Sequence, residues 1–106
     1  MKRVDLHDSA TEEVAESEKF YDERNPELGE QFVDAVAEAL ERIGRRPRSF
    51  PIHKTIKGRE YRKLVMKRFP FVIFFTEYEE YIWVPTVKHG SRDSDYWHDR
   101  EPEESS

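Results

Sequence analysis

Two short stretches concentrate the side chains able to do chemistry. "VKHGSRDSDYWHDR", residues 87–100, gathers His89, Arg92, Tyr96, Trp97 and His98. "REYRKLVMKR", residues 59–68, carries Arg62, Lys63, Lys67 and Arg68. An imidazole such as that of His89 can act as a general base. Guanidinium and ammonium groups offer charge-assisted donors to a phosphate or a carboxylate. The basic stretch therefore admits three readings. It is a phosphate clamp, with Tyr61 and Tyr96 able to stack on single-stranded RNA. It is a docking strip for an acidic peptide. Or its alternate members form the wet side of an antiparallel strand. In the closing stretch, Arg92 is expected to pair locally with Asp93 and Asp95, and Trp97 to lie as a lid on the sheet end. His89 is expected to be a hydrogen-bonded structural group at a strand exit.

Other chemistries lack their residues. His89, Asp93, Asp95, His98 and Asp99 follow no established metal-ligand spacing, so neither a metal nor a cofactor is expected. There is no phosphate-binding G-x-x-x-x-G-K-[ST] and no H-E-x-x-H pair. Neither Ser91 nor Ser94 sits in a G-x-S-x-G elbow. Cysteine is absent, which removes thiolate nucleophiles and disulfides. The net charge of −5 is unevenly spread: residues 1–44 carry −8, residues 45–68 carry +9 and residues 69–106 carry −6. The central block implies an acidic partner or an internal acidic helix facing it. The acidity of the whole argues against general nucleic-acid affinity.

The elements that must position these groups follow from periodicity. "KRVDLHD" alternates as a half-buried strand through Val4 and Leu6. "DSATEEVAESEKFYDER" places Ala10, Val14, Ser17 and Tyr21 at helical spacing, with Ser9 and Glu12 spaced as a capping box. Asn25 is expected to cap a second helix and Pro26 to begin it. Leu28, Phe32, Val36, Leu40 and Ile43 form its stripe, and Gly44 is expected to end it. Residues 45–58 read as a loop pinned by Phe50 and Ile52. Three strands follow: "EYRKLVMKR", the continuously apolar "FPFVIFFT" as a central strand, and "YIWVPTVKH". Pro85 lacks a ladder donor, so it implies an edge position or a bulge. The expected fold is α+β in two layers: an N-terminal strand, an α-helical hairpin and an antiparallel β-meander. Residues 1–100 are expected to form one domain, and 101–106 a disordered acidic tail. "MKRVDLHDSA" is not followed by the apolar run of a signal peptide. "FPFVIFF" is too short to span a bilayer. The expectation is a cytoplasmic protein with no membrane partner.

Three pieces in this order resemble the RelE/ParE superfamily of toxins from bacterial type II toxin–antitoxin systems. They are the Tyr-x-x-x-x-Pro-x-Leu-Gly junction in "YDERNPELGEQFVDAVAEALERI", the Arg-x-x-x-x-x-Arg-Phe-Pro hairpin in "YRKLVMKRFPFVIFF", and the His-x-x-Arg-Asp-x-x-Tyr-Trp end in "VKHGSRDSDYW". The resemblance implies the RelE-like two-layer fold. It also implies one of two activities: metal-free cutting of mRNA in the ribosomal A site, or poisoning of DNA gyrase in the ParE-like branch. The chain departs from the RelE-like set. It has Arg62 and Leu64 where that set has two lysines, Phe71 where it has an arginine, and Gly90 where it has another.

The resemblance therefore implies a ParE-like toxin that binds a target such as DNA gyrase and is neutralised by a cognate antitoxin in a hetero-oligomer. The antitoxin tail of such systems wraps the toxin as a helix plus a strand added to the sheet edge. Antitoxin or target binding is then expected from Arg62, Lys63, Lys67, Arg68 and Arg92, with Arg92 and His89 the candidates for target contact. The alternative is a ribosome-dependent mRNA endoribonuclease using Arg62, His89, Arg92 and Tyr96. In it, His89 or Tyr96 would be the general base and the arginines would stabilise phosphate charge. A third alternative is a non-toxic relative kept as a binding partner.

Overall fold

The computed structural model describes residues 1–92 and 96–102. Strand β1 (Arg3–Leu6) leads into helix α1 (Asp8–Arg24) and helix α2 (Pro26–Arg45). A 3₁₀ turn at Pro47–Ser49 precedes β2 (Ile52–Ile56), β3 (Arg59–Val65), β4 (Phe71–Glu77) and β5 (Tyr81–His89). The five strands form one sheet in the order β1-β5-β4-β3-β2. β1 pairs parallel to β5, with Arg3 beside Tyr81 and Leu6 beside Val84, and the other pairings are antiparallel. The two-layer α+β expectation holds, on a mixed sheet.

The helical hairpin covers one face of the sheet. Phe32, Val36, Ala39 and Ile43 of α2 are buried against Leu64, Phe71, Ile73, Phe75 and Val87. Phe32 sits 4.9 Å from Phe71 and 5.3 Å from Phe69, ring centroid to ring centroid. β4 lies at the middle of the sheet with most of its residues buried, as its continuous apolar run requires. Asn25 caps α2 by accepting the Glu27 N–H at 3.0 Å, and Pro26 opens the helix. A Cβ on Gly29, one residue beyond Leu28 of the family-like junction, would meet the Glu18 carbonyl oxygen at 2.9 Å. The glycine is what lets α1 and α2 touch there.

Several local expectations are corrected. α1 is capped by His7, whose Nδ1 accepts the Ser9 N–H at 2.9 Å, and not by a Ser9–Glu12 box. The reason lies in the sheet: the His7 N–H is still bonded to the Val84 carbonyl at 2.9 Å, so the chain leaves β1 directly into the helix. α2 runs through Gly44 to Arg45 instead of stopping at the glycine. Gly44 is buried, and its carbonyl accepts the Lys2 N–H at 3.2 Å. The loop expected at 45–58 contains β2, closed onto β3 by a two-residue turn in which Lys57 (φ 53°) and Gly58 (φ 78°) are both left-handed. That geometry matches the twist of a hairpin. Phe50 pins this region to the core, packing edge-on to Phe75 at 5.7 Å, whereas Ile52 is half exposed. The expectation for Pro85 holds: it lies at a bulge, where Phe74 faces Thr86 and Thr76 faces Trp83, so Val84 and Pro85 share one opposing residue, one residue past the last pairing of β5 with β1.

The end of the sheet carrying the β4–β5 turn is clamped by stacked side chains. The Arg59 guanidinium lies 3.7 Å from the Tyr78 ring centre, Tyr78 stacks on Tyr81 at 5.0 Å, and Arg3 lies 5.2 Å from Tyr81. Four strand ends are tied by this run of contacts. Among the described residues, no helix is long and apolar enough to cross a membrane.

Candidate functional site

β1 ends at Leu6, so β5 continues without a neighbouring strand on that side, and α1 crosses there instead. A strand edge left in this way exposes backbone donors that need partners. Glu13, one face of α1, supplies the acceptor: its Oε1 takes the Val87 N–H at 3.1 Å and the Thr86 hydroxyl at 2.8 Å. Its Oε2 takes Arg100 Nη1 at 3.0 Å and lies 4.0 Å from Arg92 Nη1. The same Arg100 nitrogen donates to the Pro85 carbonyl at 3.1 Å. Thr86 Oγ1 is also 2.9 Å from Tyr96 Oη. Because an ionised carboxylate only accepts, Thr86 donates to Glu13 and Tyr96 donates to Thr86. The Tyr96 ring has the Arg92 guanidinium 4.0 Å from its centre and that of Arg100 at 5.0 Å. Burial raises the Tyr96 pKa, the Thr86 hydrogen bond opposes this, and the nearby Glu13 charge adds to it. The phenol is thus held as a protonated donor.

Trp97 covers the sheet face opposite the helices, where it stacks on Phe74 at 4.7 Å and packs on Tyr61 and His53. It is a lid, as its sequence suggests, but on the face of the sheet and not on its end. Burial beneath it pushes the Tyr61 hydroxyl up to about 12, with the Tyr78 interaction a smaller cause and Arg59 opposing. Trp83 Nε1 donates to the Arg100 carbonyl at 2.8 Å, which fixes the segment after Trp97 to β5.

The sequence-predicted residues divide between the two faces. Arg92 and Tyr96 are brought together over Glu13. Arg62 lies opposite Phe75 in the ladder, on the face that carries the helices, and donates to the Phe50 carbonyl at 2.6 Å. It does not converge with Tyr96. His89 closes β5, with its ring edge on Phe71 at 5.1 Å and Nδ1 accepting the Ser91 N–H at 3.1 Å. The expected pairing of Arg92 with Asp93 and Asp95, and part of the candidate metal set, lie outside the described residues. So does most of the tail expected at 101–106. Among the described residues, no group of three or more His, Asp or Glu side chains could hold a metal ion. Glu13, Thr86 and Arg100 were not singled out in the sequence.

A second surface involves the rest of the basic stretch. A groove of about 490 Å³ runs between α2 and β3, with Ala35, Ala39, Leu64 and Met66 along it; its charged lining is Arg42, Lys67 and Arg68 together with Asp34 and Glu38 of α2. Arg68 also donates to the Gln31 side chain. Lys63 pairs across the ladder with Phe74, on the face that Trp97 covers. β2 accompanies β3 only as far as the Ile52–Arg62 pair and the bond from the Lys63 N–H to the Pro51 carbonyl. Val65, beyond that point, has an exposed side chain. At the opposite border, the end of α2 takes the N–H of Lys2, the residue before β1, at 3.2 Å.

A family model described as the ParE toxin of type II toxin–antitoxin systems, parDE, matches residues 4–94. A search among curated proteins finds no match.

Proposed function

The chain belongs to the ParE toxin family of type II toxin–antitoxin systems, and from that premise we propose that it arrests growth by binding DNA gyrase. The closing segment, with Arg92 at its exposed surface, makes the contact in this reading. The observation that carries a binding toxin over a ribonuclease is the separation of Arg62 from Tyr96. Phosphate clamping and proton transfer need their groups on one scissile bond, and these two lie on opposite faces of the sheet. Arg62 is also committed to the Phe50 carbonyl, and Tyr96 donates its proton to Thr86.

Neutralisation follows from the second surface. An amphipathic antitoxin helix seats its apolar face in the α2–β3 groove, and its acidic side meets Arg42, Lys67 and Arg68. An adjoining antitoxin strand pairs with β3 past Lys63, where β2 no longer covers it.

The test is pulse labelling of DNA and protein synthesis after the chain is induced alone in bacteria. DNA synthesis is expected to stop first while translation continues. Translation stopping first overturns the gyrase reading and directs attention to mRNA ends. Antitoxin binding is tested with the protein encoded beside this gene. Lys67→Glu with Arg68→Glu should weaken its binding at low salt, and unchanged affinity removes the groove assignment.

A further inference from the structure

We propose that Glu13 is a positioning residue for target contact: reaching from α1, it holds the Arg92 guanidinium against the Tyr96 ring, oriented in advance for a carboxylate on the target. The inference rests on the contact role proposed for Arg92.

Arg92 has a side chain 56% exposed, and an exposed arginine ordinarily samples many rotamers. Among the described residues, two features confine it. Its guanidinium lies 4.0 Å from the Tyr96 ring centre, and one nitrogen is 4.0 Å from Glu13 Oε2. Tyr96 is itself fixed, because its hydroxyl bonds to Thr86, which in turn bonds to Glu13. A single carboxylate therefore sets both the aromatic plate and the cation lying on it. The firmer bond of Glu13 is to Arg100, at 3.0 Å, which anchors the acid while leaving Arg92 on its outer flank. The N–H donors of an arginine form a planar fork suited to two parallel bonds with a carboxylate.

Confining one flexible side chain before binding spares its ordering cost, so losing the restraint should weaken target binding roughly three- to tenfold. The mechanism also predicts non-additivity, since Glu13 acts through Arg92. A residue that merely supported the fold would weaken the Arg92 variant as much as it weakens the parent.

The experiment expresses the full chain alone at graded levels and reads the intracellular amount needed for half-maximal growth arrest. Thermal unfolding of each purified variant is measured alongside. Glu13→Gln keeps an acceptor for Val87 and Thr86 but loses the charge that attracts Arg92 and Arg100. The unfolding measurement separates the Arg100 effect on stability from the Arg92 effect on contact. The substitution should raise the required amount roughly three- to tenfold, and combining it with Arg92→Ala should be no worse than Arg92→Ala alone. Arg92→Lys, which keeps the charge but not the planar stack, should lose about as much as Arg92→Ala. If Glu13→Gln does not fold, the lysine variant decides. Multiplying losses in the double variant, or full activity of Arg92→Lys, overturns the proposal. An inert Arg92→Ala beside a fully active Glu13→Gln overturns the positioning role alone. A fully toxic Arg92→Ala removes the underlying contact reading as well.

Discussion

Glu13 and Thr86 are 73 residues apart in the chain, yet their side-chain oxygens lie 2.8 Å apart. That bond sits where β1 has ended and α1 has taken its place beside β5. The carboxylate performs the work of a missing strand, accepting the Val87 N–H and gathering Arg100 and Arg92 at its other oxygen.

Replacing Glu13 with alanine strands several buried groups at once. Val87 N–H loses its acceptor, and Arg100, with a side chain only 17% exposed, loses its counter-charge. The expected cost is about 2–4 kcal/mol of folding stability, since breaking a largely buried pair leaves an uncompensated charge. A shift in the denaturant midpoint at unchanged slope checks it, and a shift equal to that of an exposed Glu→Ala control contradicts it.

Glu77 predicts an acid limb in the stability profile. The hydrogen bond from Lys2 is the main cause that lowers its pKa below the usual 4.5; partial burial opposes this and Arg48 assists. A carboxylate depressed in the fold contributes stability that is complete above its unfolded value and is lost as pH falls through its folded value. Stability measured from pH 4.5 downward should therefore fall less steeply in Lys2→Met than in the parent.

Tyr61 predicts the opposite, alkaline limb. With its pKa raised from 10.0 to about 12, chiefly by burial, the unfolded chain loses this proton first. Its contribution is complete below pH 10 and declines as pH rises toward 12. Tyr61→Phe should flatten that decline. Tyrosinate absorbance of the folded parent should show the Tyr61 phenol ionising above the ordinary value of 10.0, a component that Tyr61→Phe removes.

Lys57 occupies the left-handed region at φ 53°, which costs a residue with a Cβ roughly 1 kcal/mol. Its ion pair with Glu101 is highly exposed and recovers little. Lys57→Asn, a residue that tolerates this conformation, should gain about 0.5–1 kcal/mol. An unchanged or lower melting temperature would show the turn to be unstrained.

The helices were legible because their signals are local. The Phe32, Val36 and Ile43 stripe and the Asn25-Pro26 junction declare themselves within a few residues, and both stand where expected. The apolar run of β4 and the bulge at Pro85 were legible for the same reason. β2 was hidden by basic residues and by a turn residue, Lys57, that gives no left-handed signal. His7 displaced Ser9 as the α1 cap because a bond to Val84, far along the chain, keeps it in the sheet. The candidate site was half legible: Arg92 and Tyr96 carry recognisable chemistry, but Glu13 is one acid among many on α1. Only a partner at the other end of the chain distinguishes it.

The distance between Glu13 and its partners has a consequence in time. Synthesis proceeds from the N-terminus, and domains begin to fold as they emerge. The groove residues from Ala35 to Arg68 leave the ribosome before Arg92, Tyr96 and Arg100 do. Glu13 must therefore wait for the last part of the chain. In the proposed reading, the surface that an antitoxin grips is made first and the surface that harms the cell last, so a chain whose synthesis stops short of Arg92 lacks the harmful surface.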